Sequence, residues 1–447
     1  MNQLSKKETL SVGLMLFALF FGAGNLIFPP ALGQAAGTDV WPAILGFILT
    51  GVGLPLVGVI AIAVTGGNLQ SIAKRVHPVF GAVFTFLIYL IIGPLFGIPR
   101  TASVAFEMGV APFLPKGIDS HGWPLLVGSI LFFVVTYWLC LNPSKLVDRI
   151  GNVLTPMLLG TIVVMLVQSI LHPIGSLGEP TKAYHASPFF KGFMDGYLTM
   201  DTLGALVFGI VAVTAIQNKG VKDRKPLAAT TIKAGLIAGI GLAFVYLTLG
   251  YMGATSQSLG MTDNGGQIMT MMMHHLFGQS GALLLGLAVF LACLTTSVGL
   301  VTATSMYFSK RFPSLSYNHL VLALCVAGTA VANMGLTKLI AVSVPVLTAI
   351  YPVAIVMILL TFLHSYFNGY RTVYGCALLG TVLISITDGL KGLNIPLGVL
   401  GDVYSQIPLY QEGIGWVLPA AIGAVTGYVW GRIGDHFSVA EGQKSAG

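Results

Sequence analysis

The chain has 447 residues, of which 55% are hydrophobic and only 8% are charged. A soluble protein of this size carries charge on roughly a quarter of its residues, so the composition excludes a soluble globular protein. It indicates an all-α protein that crosses a lipid bilayer many times. The net charge of +7 is spread over short segments between apolar runs, without the single basic patch that would favour nucleic acid as a partner.

Hydropathy predicts twelve membrane-spanning helices. They cover residues 9–35, 41–65, 78–109, 121–141, 150–171, 193–217, 227–253, 280–309, 318–334, 338–363, 372–390 and 412–432. With the N-terminus in the cytoplasm, fifteen of the 22 Lys and Arg residues lie on the cytoplasmic side, five lie on the other side, and two lie within spans. The positive-inside rule therefore predicts that both termini are cytoplasmic.

The first span contains a stretch, residues 20–30, that combines two glycines, an asparagine and a proline pair. We expect a broken helix whose freed backbone groups complete a ligand site; a proline kink without a ligand is the alternative. If the helix restarts near Gly24 to Leu26, its first N–H groups suit a carboxylate. The carbonyls from Ala18 to Phe21 would then lose their partners and suit a small hard cation.

The sixth span carries the second candidate break, because Asp201 lies within it between Gly196 and Gly204. An ionisable residue inside a span predicts a functional site. Asp201 is a candidate proton acceptor, ion ligand or partner for a substrate ammonium. It is also a candidate partner for Arg100 in the third span, and a structural pair of this kind is as good an interpretation as a substrate contact.

The two candidate breaks lie in spans one and six, an offset of five spans, which predicts an inverted repeat within one transmembrane domain. Repeat one covers about 9–171 and repeat two about 193–363, followed by two extra helices in about 372–432.

Span eight contains three consecutive hydroxyl residues, Thr295, Thr296 and Ser297. They are candidate ion ligands, or they bond back to carbonyls of their own helix. The sequence has no H-E-x-x-H, P-loop or G-x-S-x-G motif. Since no catalytic constellation is present, we expect a protein that is not an enzyme and has no covalently bound cofactor.

The stretch 20–37, the run from Gly93 to Arg100 and the twelve-span length together resemble the bacterial branched-chain amino acid:cation symporters, the BrnQ-type carriers. The resemblance extends over essentially the whole chain. It implies a leucine-transporter-like fold, with five-plus-five inverted repeats, broken helices one and six, and two extra helices.

The resemblance also implies the site residues. The substrate site would comprise Ala23, Gly24, Asn25, Leu26, Arg100, Thr199, Asp201 and Leu203. The Na⁺ site would comprise the carbonyls near Ala18 and Phe21, the Ala292 carbonyl, and the hydroxyls of Thr295 and Thr296. Asp201 stands where many carriers of this fold have a hydroxyl residue. The resemblance therefore does not decide whether a second sodium site exists.

The resemblance implies import of leucine, isoleucine and valine by alternating access across the bacterial cell membrane, the inner or plasma membrane. The aliphatic side chain would lie among spans one, three, six and eight, and Na⁺ is the expected coupling ion, with H⁺ as the alternative. A carrier of the same fold for another amino acid or a small solute such as a nucleobase is the nearest competing hypothesis; a channel or a membrane-embedded enzyme is disfavoured. The oligomeric state is left open, a monomer being one option.

Overall fold

The computed structural model describes residues 4–65, 68–115, 117–120, 122–141, 155–172, 174–221, 223–393 and 395–444. Every regular element in these ranges is helical, in agreement with the all-α prediction. The predicted span starts at residue 121 and at 150–154 lie outside the described residues.

In the N-terminal part of the chain, several predicted spans are divided into shorter helices. They are α1 (Lys6–Phe20), α2 (Ala23–Ala36), α3 (Val40–Ile48), α4 (Leu54–Thr65), α5 (Leu69–Ala73), α6 (Pro78–Leu90), α7 (Gly97–Gly109), α8 (Trp123–Cys140) and α9 (Thr155–Leu171). Segments of π-helix at Leu49–Gly53 and Ile91–Leu95 connect α3 to α4 and lead from α6 towards α7.

The remaining helices include the four longest of the described chain. They are α10 (Lys182–Ala186), α11 (Pro188–Asp195), α12 (Asp201–Asn218), α13 (Arg224–Thr255), α14 (Gly265–Phe277), α15 (Gln279–Arg311), α16 (Tyr317–Ala332), α17 (Leu336–Leu363), α18 (Arg371–Gly392), α19 (Val399–Tyr404) and α20 (Val417–Lys444). A 3₁₀ turn at Gly196–Thr199 follows α11 directly.

Eight helical runs in the described part of the chain are long and apolar enough to cross a bilayer. Three shorter apolar helices, Leu159–Leu171, Tyr317–Ala332 and Val417–Ile433, coincide with further predicted spans. The first predicted span is divided between α1 and α2. The count of twelve crossings and the assignment of two inverted repeats stay predictions.

The described residues form two compact units, one within 1–64 and 88–343 and the other within 65–87 and 344–447. In the first unit, helices approach closely through glycine. A Cβ placed on Gly286 of α15 would lie 3.0 Å from Cα of Gly109 in α7, and no larger side chain fits between the two backbones. Small residues of this kind let membrane helices pack without a hydrophobic driving force.

In the second unit, α20 packs against α18 by the same device. Gly423 and Gly427 face the main-chain carbonyls of Cys376 and Thr372. The Thr372 hydroxyl donates a hydrogen bond of 2.6 Å to the Gly427 carbonyl. The G-x-x-x-G spacing in the last predicted span is therefore used within the chain.

Candidate functional site

The first membrane crossing is interrupted at Phe21 and Gly22, which we call the span-one break. Both residues have extended dihedral angles, and α2 begins at Ala23. The Gly22 N–H, which would bond to the Ala18 carbonyl in a continuous helix, donates instead to Oδ1 of Asn25 at 2.8 Å. The last carbonyls of α1 and the first N–H groups of α2 therefore lack the partners that a continuous helix would give them.

The restart at Ala23 comes one residue earlier than the sequence predicted, and the proline pair does not end the helix. Pro29 and Pro30 both lie inside α2. Each proline removes one main-chain hydrogen bond, and the close packing of a neighbouring helix supports the segment. Gly253 of α13 lies directly against the Pro30 carbonyl, where a Cβ would not fit.

The sixth predicted span is interrupted at Met200, the span-six break. The chain passes from the 3₁₀ turn at Gly196–Thr199 through Met200, with φ of 64°, into α12 at Asp201. Arg100 from α7 closes this break, because its Nη1 donates to the Leu198 carbonyl at 2.6 Å and its Nη2 to the Thr199 carbonyl at 3.0 Å. A cation at the carboxyl end of a helix is favourably placed in the field of the helix dipole.

Arg100 therefore binds backbone carbonyls, a contact that the sequence did not indicate. Its side chain is 5% exposed, and its guanidinium also lies 5.3 Å from the centre of the Phe28 ring. Glu107, seven residues further along α7, accepts a hydrogen bond from Gln267.

Asn25, Asp201 and Tyr246 form a hydrogen-bonded triangle that joins the two breaks. Asn25 Nδ2 donates to Asp201 Oδ2 at 2.6 Å and also to the Tyr246 hydroxyl. The Tyr246 hydroxyl donates to the same Oδ2 at 2.9 Å. All three side chains are almost completely buried, so polar groups from α2, α12 and α13 satisfy one another away from solvent.

A third interruption lies in the predicted third span, at Gly93, and we call it the span-three break. Gly93 has non-helical dihedral angles within the π-helical segment Ile91–Leu95. The Phe96 N–H bonds to the Ile91 carbonyl at 3.1 Å, so the backbone closes this break by itself. The sequence did not indicate a break at this position.

A cavity of about 40 Å³ lies between the three breaks. Its lining comprises Leu19, Phe20, Gly22, Ala23, Gly24, Asn25, Ile92, Gly97, Arg100, Thr101, Thr199, Met200, Asp201, Gly204, Phe208, Thr296 and Leu300. Six of the eight predicted substrate residues belong to it. Leu26 and Leu203 do not line it and are buried elsewhere, with 3% and 0% exposure.

The two predicted threonine ligands of the ion make different hydrogen bonds. The Thr296 hydroxyl donates to the Phe21 carbonyl at 3.3 Å, reaching from α15 to the break. The Thr295 hydroxyl donates to the Ala292 carbonyl of its own helix at 2.8 Å, which is the back-bonded arrangement considered as the alternative. Ala18 lies one turn before the break.

Sequence reasoning did not single out Tyr246, Thr101 or Phe208. A tyrosine in the middle of an apolar span was an available signal, because a buried phenol usually has a hydrogen-bond partner. For Thr101 the signal was its position next to Arg100. Phe208 gave none, since a phenylalanine in an apolar helix is ordinary.

Comparison with known proteins gives consistent results. A family described as branched-chain amino acid transport protein matches residues 5–433. The chain is 52% identical to the branched-chain amino acid permease BraB of Bacillus subtilis (strain 168), over 96% of each protein. It is 45% identical to the branched-chain amino acid transport system 2 carrier protein of Pseudomonas aeruginosa, over 97% of this chain and 98% of that protein.

Solved structures show where this fold recurs. Mhp1, a nucleobase-cation-symport-1 family transporter solved closed with bromovinylhydantoin, superposes with a TM-score of 0.63 at 14% identity, over 95% of this chain and 92% of Mhp1. MhsT in complex with L-phenylalanine superposes with a TM-score of 0.57 at 16% identity, over 97% and 99%. At these identities the likeness concerns the fold alone.

The family match, the relatives and the apolar helices agree on a multi-pass membrane transporter and not an enzyme. The chain belongs to the branched-chain amino acid transport family.

Proposed function

We propose that the protein imports L-leucine, L-isoleucine and L-valine by alternating access across the bacterial inner membrane, with both termini in the cytoplasm and Na⁺ as the coupling ion. The relatives named above are a branched-chain amino acid permease and a branched-chain amino acid carrier. The observation that carries the proposal is that Asp201, Arg100 and the amino end of α2 line one cavity.

This set of groups suits a zwitterion. The first N–H groups of α2, at Ala23 and Gly24, have no helical acceptor of their own and carry positive partial charge. In the proposal they bind the substrate carboxylate, with Arg100 adding positive charge nearby. Asp201 on the other wall binds the ammonium group, so each charged end of the substrate meets an opposite charge.

The apolar part of the lining provides a place for an aliphatic side chain. Leu19, Ile92, Phe208 and Leu300 contribute to it, from spans one, three, six and eight. A hydrophobic pocket discriminates between alkyl groups by only about 1–3 kcal/mol per methylene. Leucine, isoleucine and valine are therefore expected to compete with one another for the same site.

The proposed ion site lies next to this cavity. The Phe21 carbonyl and the Thr296 hydroxyl already face each other, and the carbonyls of Ala18 and Ala292 and the Thr295 hydroxyl would complete an oxygen shell. Because the ion and the substrate bind on opposite sides of the span-one break, each favours the geometry that the other needs. Linked binding of this kind couples the two gradients.

Uptake into proteoliposomes tests the function. Purified protein is reconstituted, and labelled leucine uptake is measured under an imposed Na⁺ gradient and then under an imposed H⁺ gradient. We expect Na⁺-driven, saturable uptake that unlabelled isoleucine and valine inhibit and uracil does not. Uptake driven by H⁺ alone would overturn the choice of ion, and inhibition by uracil but not valine would overturn the choice of substrate.

A further inference from the structure

One helix, α13, packs against both halves of the broken first crossing. On the α1 side, a Cβ placed on Gly13 would lie 2.7 Å from Cβ of Ile237, and one on Gly241 would lie 2.8 Å from the Phe17 ring. These contacts leave no room for adjustment between α1 and this part of α13.

The α2 side of the same helix is equally close. Gly33 lies against the Gly250 carbonyl, and Gly253 lies against the Pro30 carbonyl, where added Cβ atoms would overlap both. These close contacts with α1 involve Ile237 and Gly241, and those with α2 involve Gly250 and Gly253. The continuous helix α13 therefore packs closely against both α1 and α2, the two halves of the broken first crossing.

Tyr246 lies between these two sets of contacts, at the level of the break. Its side chain has 0% exposure. Its ring packs edge-on against Phe47 with 5.1 Å between centroids, and a Cβ on Gly51 would lie 3.1 Å from the ring. The ring is thus held on several sides, and the direction of its hydroxyl group is fixed.

The hydroxyl group makes its contacts with two residues of the cavity wall. It donates to Oδ2 of Asp201 at 2.9 Å and accepts from Asn25. Tyr246 itself does not line the cavity. Tyr246 therefore reaches the cavity wall through Asp201 and Asn25.

We propose that Tyr246 is a positioning residue, which holds the Asp201 carboxylate against the start of α2 so that the substrate ammonium meets a carboxylate of fixed orientation. This inference rests on the proposed function, because it assigns the ammonium group to Asp201. A fixed polar group binds a ligand more tightly than one that must first be ordered. Tyr246 therefore acts on substrate affinity and not on the rate of the alternating-access step.

The test compares Tyr246→Phe with Tyr184→Phe, in the same reconstituted system. Tyr184 of α10 is 3% exposed, and its hydroxyl also donates to a carboxylate, that of Asp195, away from the cavity. Both substitutions remove one hydrogen bond from a phenol to a carboxylate, and Tyr246→Phe also removes the acceptor of the bond from Asn25. We expect Tyr246→Phe to raise the KM for leucine about tenfold with Vmax within a factor of two of wild type, and Tyr184→Phe to leave KM unchanged.

Replacement of Tyr246 by 4-aminophenylalanine, which keeps a donor at the same place, should restore KM to within about threefold of wild type. Replacement by 4-fluorophenylalanine fills the same space without a donor, and it should reproduce the tenfold rise even if Tyr246→Phe does not fold. An unchanged KM in the 4-fluorophenylalanine protein, or an equal rise in both replacements, would overturn the proposal. Failure of the wild-type protein to transport leucine would instead overturn the proposed function.

Discussion

The span-one break and the span-three break border the same cavity, but they are closed in different ways. At Gly22 the backbone N–H is bound by the side chain of Asn25, and a hydroxyl from another helix, that of Thr296, contacts the Phe21 carbonyl. At Gly93 the backbone closes the gap by itself, through the bond from the Phe96 N–H to the Ile91 carbonyl.

The difference indicates which break can bind a ligand. Side chains that contact backbone groups can give way to a ligand that makes the same hydrogen bonds. A helix that reforms its own main-chain bonds across a π-helical turn has far fewer backbone groups to offer. The span-six break resembles the span-one break in this respect, because Arg100 binds its carbonyls.

Arg100→Lys should have the largest effect, because it removes the group that closes the span-six break. An ammonium group cannot reproduce the bidentate hydrogen bonding of a guanidinium. A buried carbonyl left without a donor destabilises the folded protein by about 1–3 kcal/mol. We expect leucine uptake below roughly 5% of wild type, measured in proteoliposomes with equal amounts of monodisperse protein.

The control is Arg75→Lys, since Arg75 donates to the Tyr374 hydroxyl at 3.4 Å and does not line the cavity. It should retain more than half of wild-type uptake. Wild-type KM and Vmax in Arg100→Lys would contradict the role given to the guanidinium.

Gly24→Ala tests the space between the span-one break and the span-six break, the two breaks at which side chains bind the backbone. The new Cβ would lie 2.9 Å from Nη2 of Arg100 and 3.1 Å from Cα of Thr199. Since the second of these is a backbone atom, α2 must move away from the span-six break. We expect the KM for leucine to rise roughly tenfold.

Gly160→Ala is the matched control, because nothing lies within 4 Å of a Cβ at Gly160. It should behave as wild type in the same uptake assay. If Gly24→Ala also kept the wild-type KM, the two breaks could not form one substrate site.

Two threonines of α15 allow a direct comparison of the span-one and span-three breaks. A Cβ on Gly22 would lie 2.6 Å from the Thr296 hydroxyl oxygen, and a Cβ on Gly93 would lie 3.3 Å from that of Thr304. Thr296→Val removes a proposed ion ligand. We expect the Na⁺ concentration for half-maximal uptake to rise about tenfold, which corresponds to about 1.4 kcal/mol.

Thr304→Val should have the smallest effect. The Thr304 hydroxyl is buried and has no hydrogen-bond partner among the described residues. Its removal should leave both the leucine KM and the Na⁺ dependence within twofold of wild type, and it should raise thermal stability slightly because an unpaired buried hydroxyl is lost. Equal shifts in Na⁺ dependence for the two valine variants would remove the distinction between the breaks.

The position of the span-one break could be predicted because its cause is local. Glycine, asparagine and proline disfavour a continuous helix wherever they lie, and the first break lies within the predicted stretch. The span-six break was likewise indicated by Asp201, a charge that membrane helices rarely carry without a function. Pro94 and Pro99 were less informative, since prolines in membrane helices often produce only a kink.

Contacts between distant residues could not be predicted in the same way. Nothing in the sequence indicated that Arg100 binds the carbonyls of Leu198 and Thr199. Every residue has a carbonyl, so the sequence carries no mark of which ones accept a distant hydrogen bond. The partnership of Tyr246 with Asp201 joins residues 45 positions apart and depends on how α13 packs.

The most direct test of the central claim is an experimental structure of the protein with L-leucine and Na⁺ bound. We predict the leucine carboxylate within hydrogen-bond distance of the amides of Ala23 and Gly24, and the ammonium group at Asp201. Leucine bound away from these breaks would contradict it, if the hydrogen bond from the Gly22 N–H to Asn25 and those from Arg100 to the Leu198 and Thr199 carbonyls were also unaffected by occupancy.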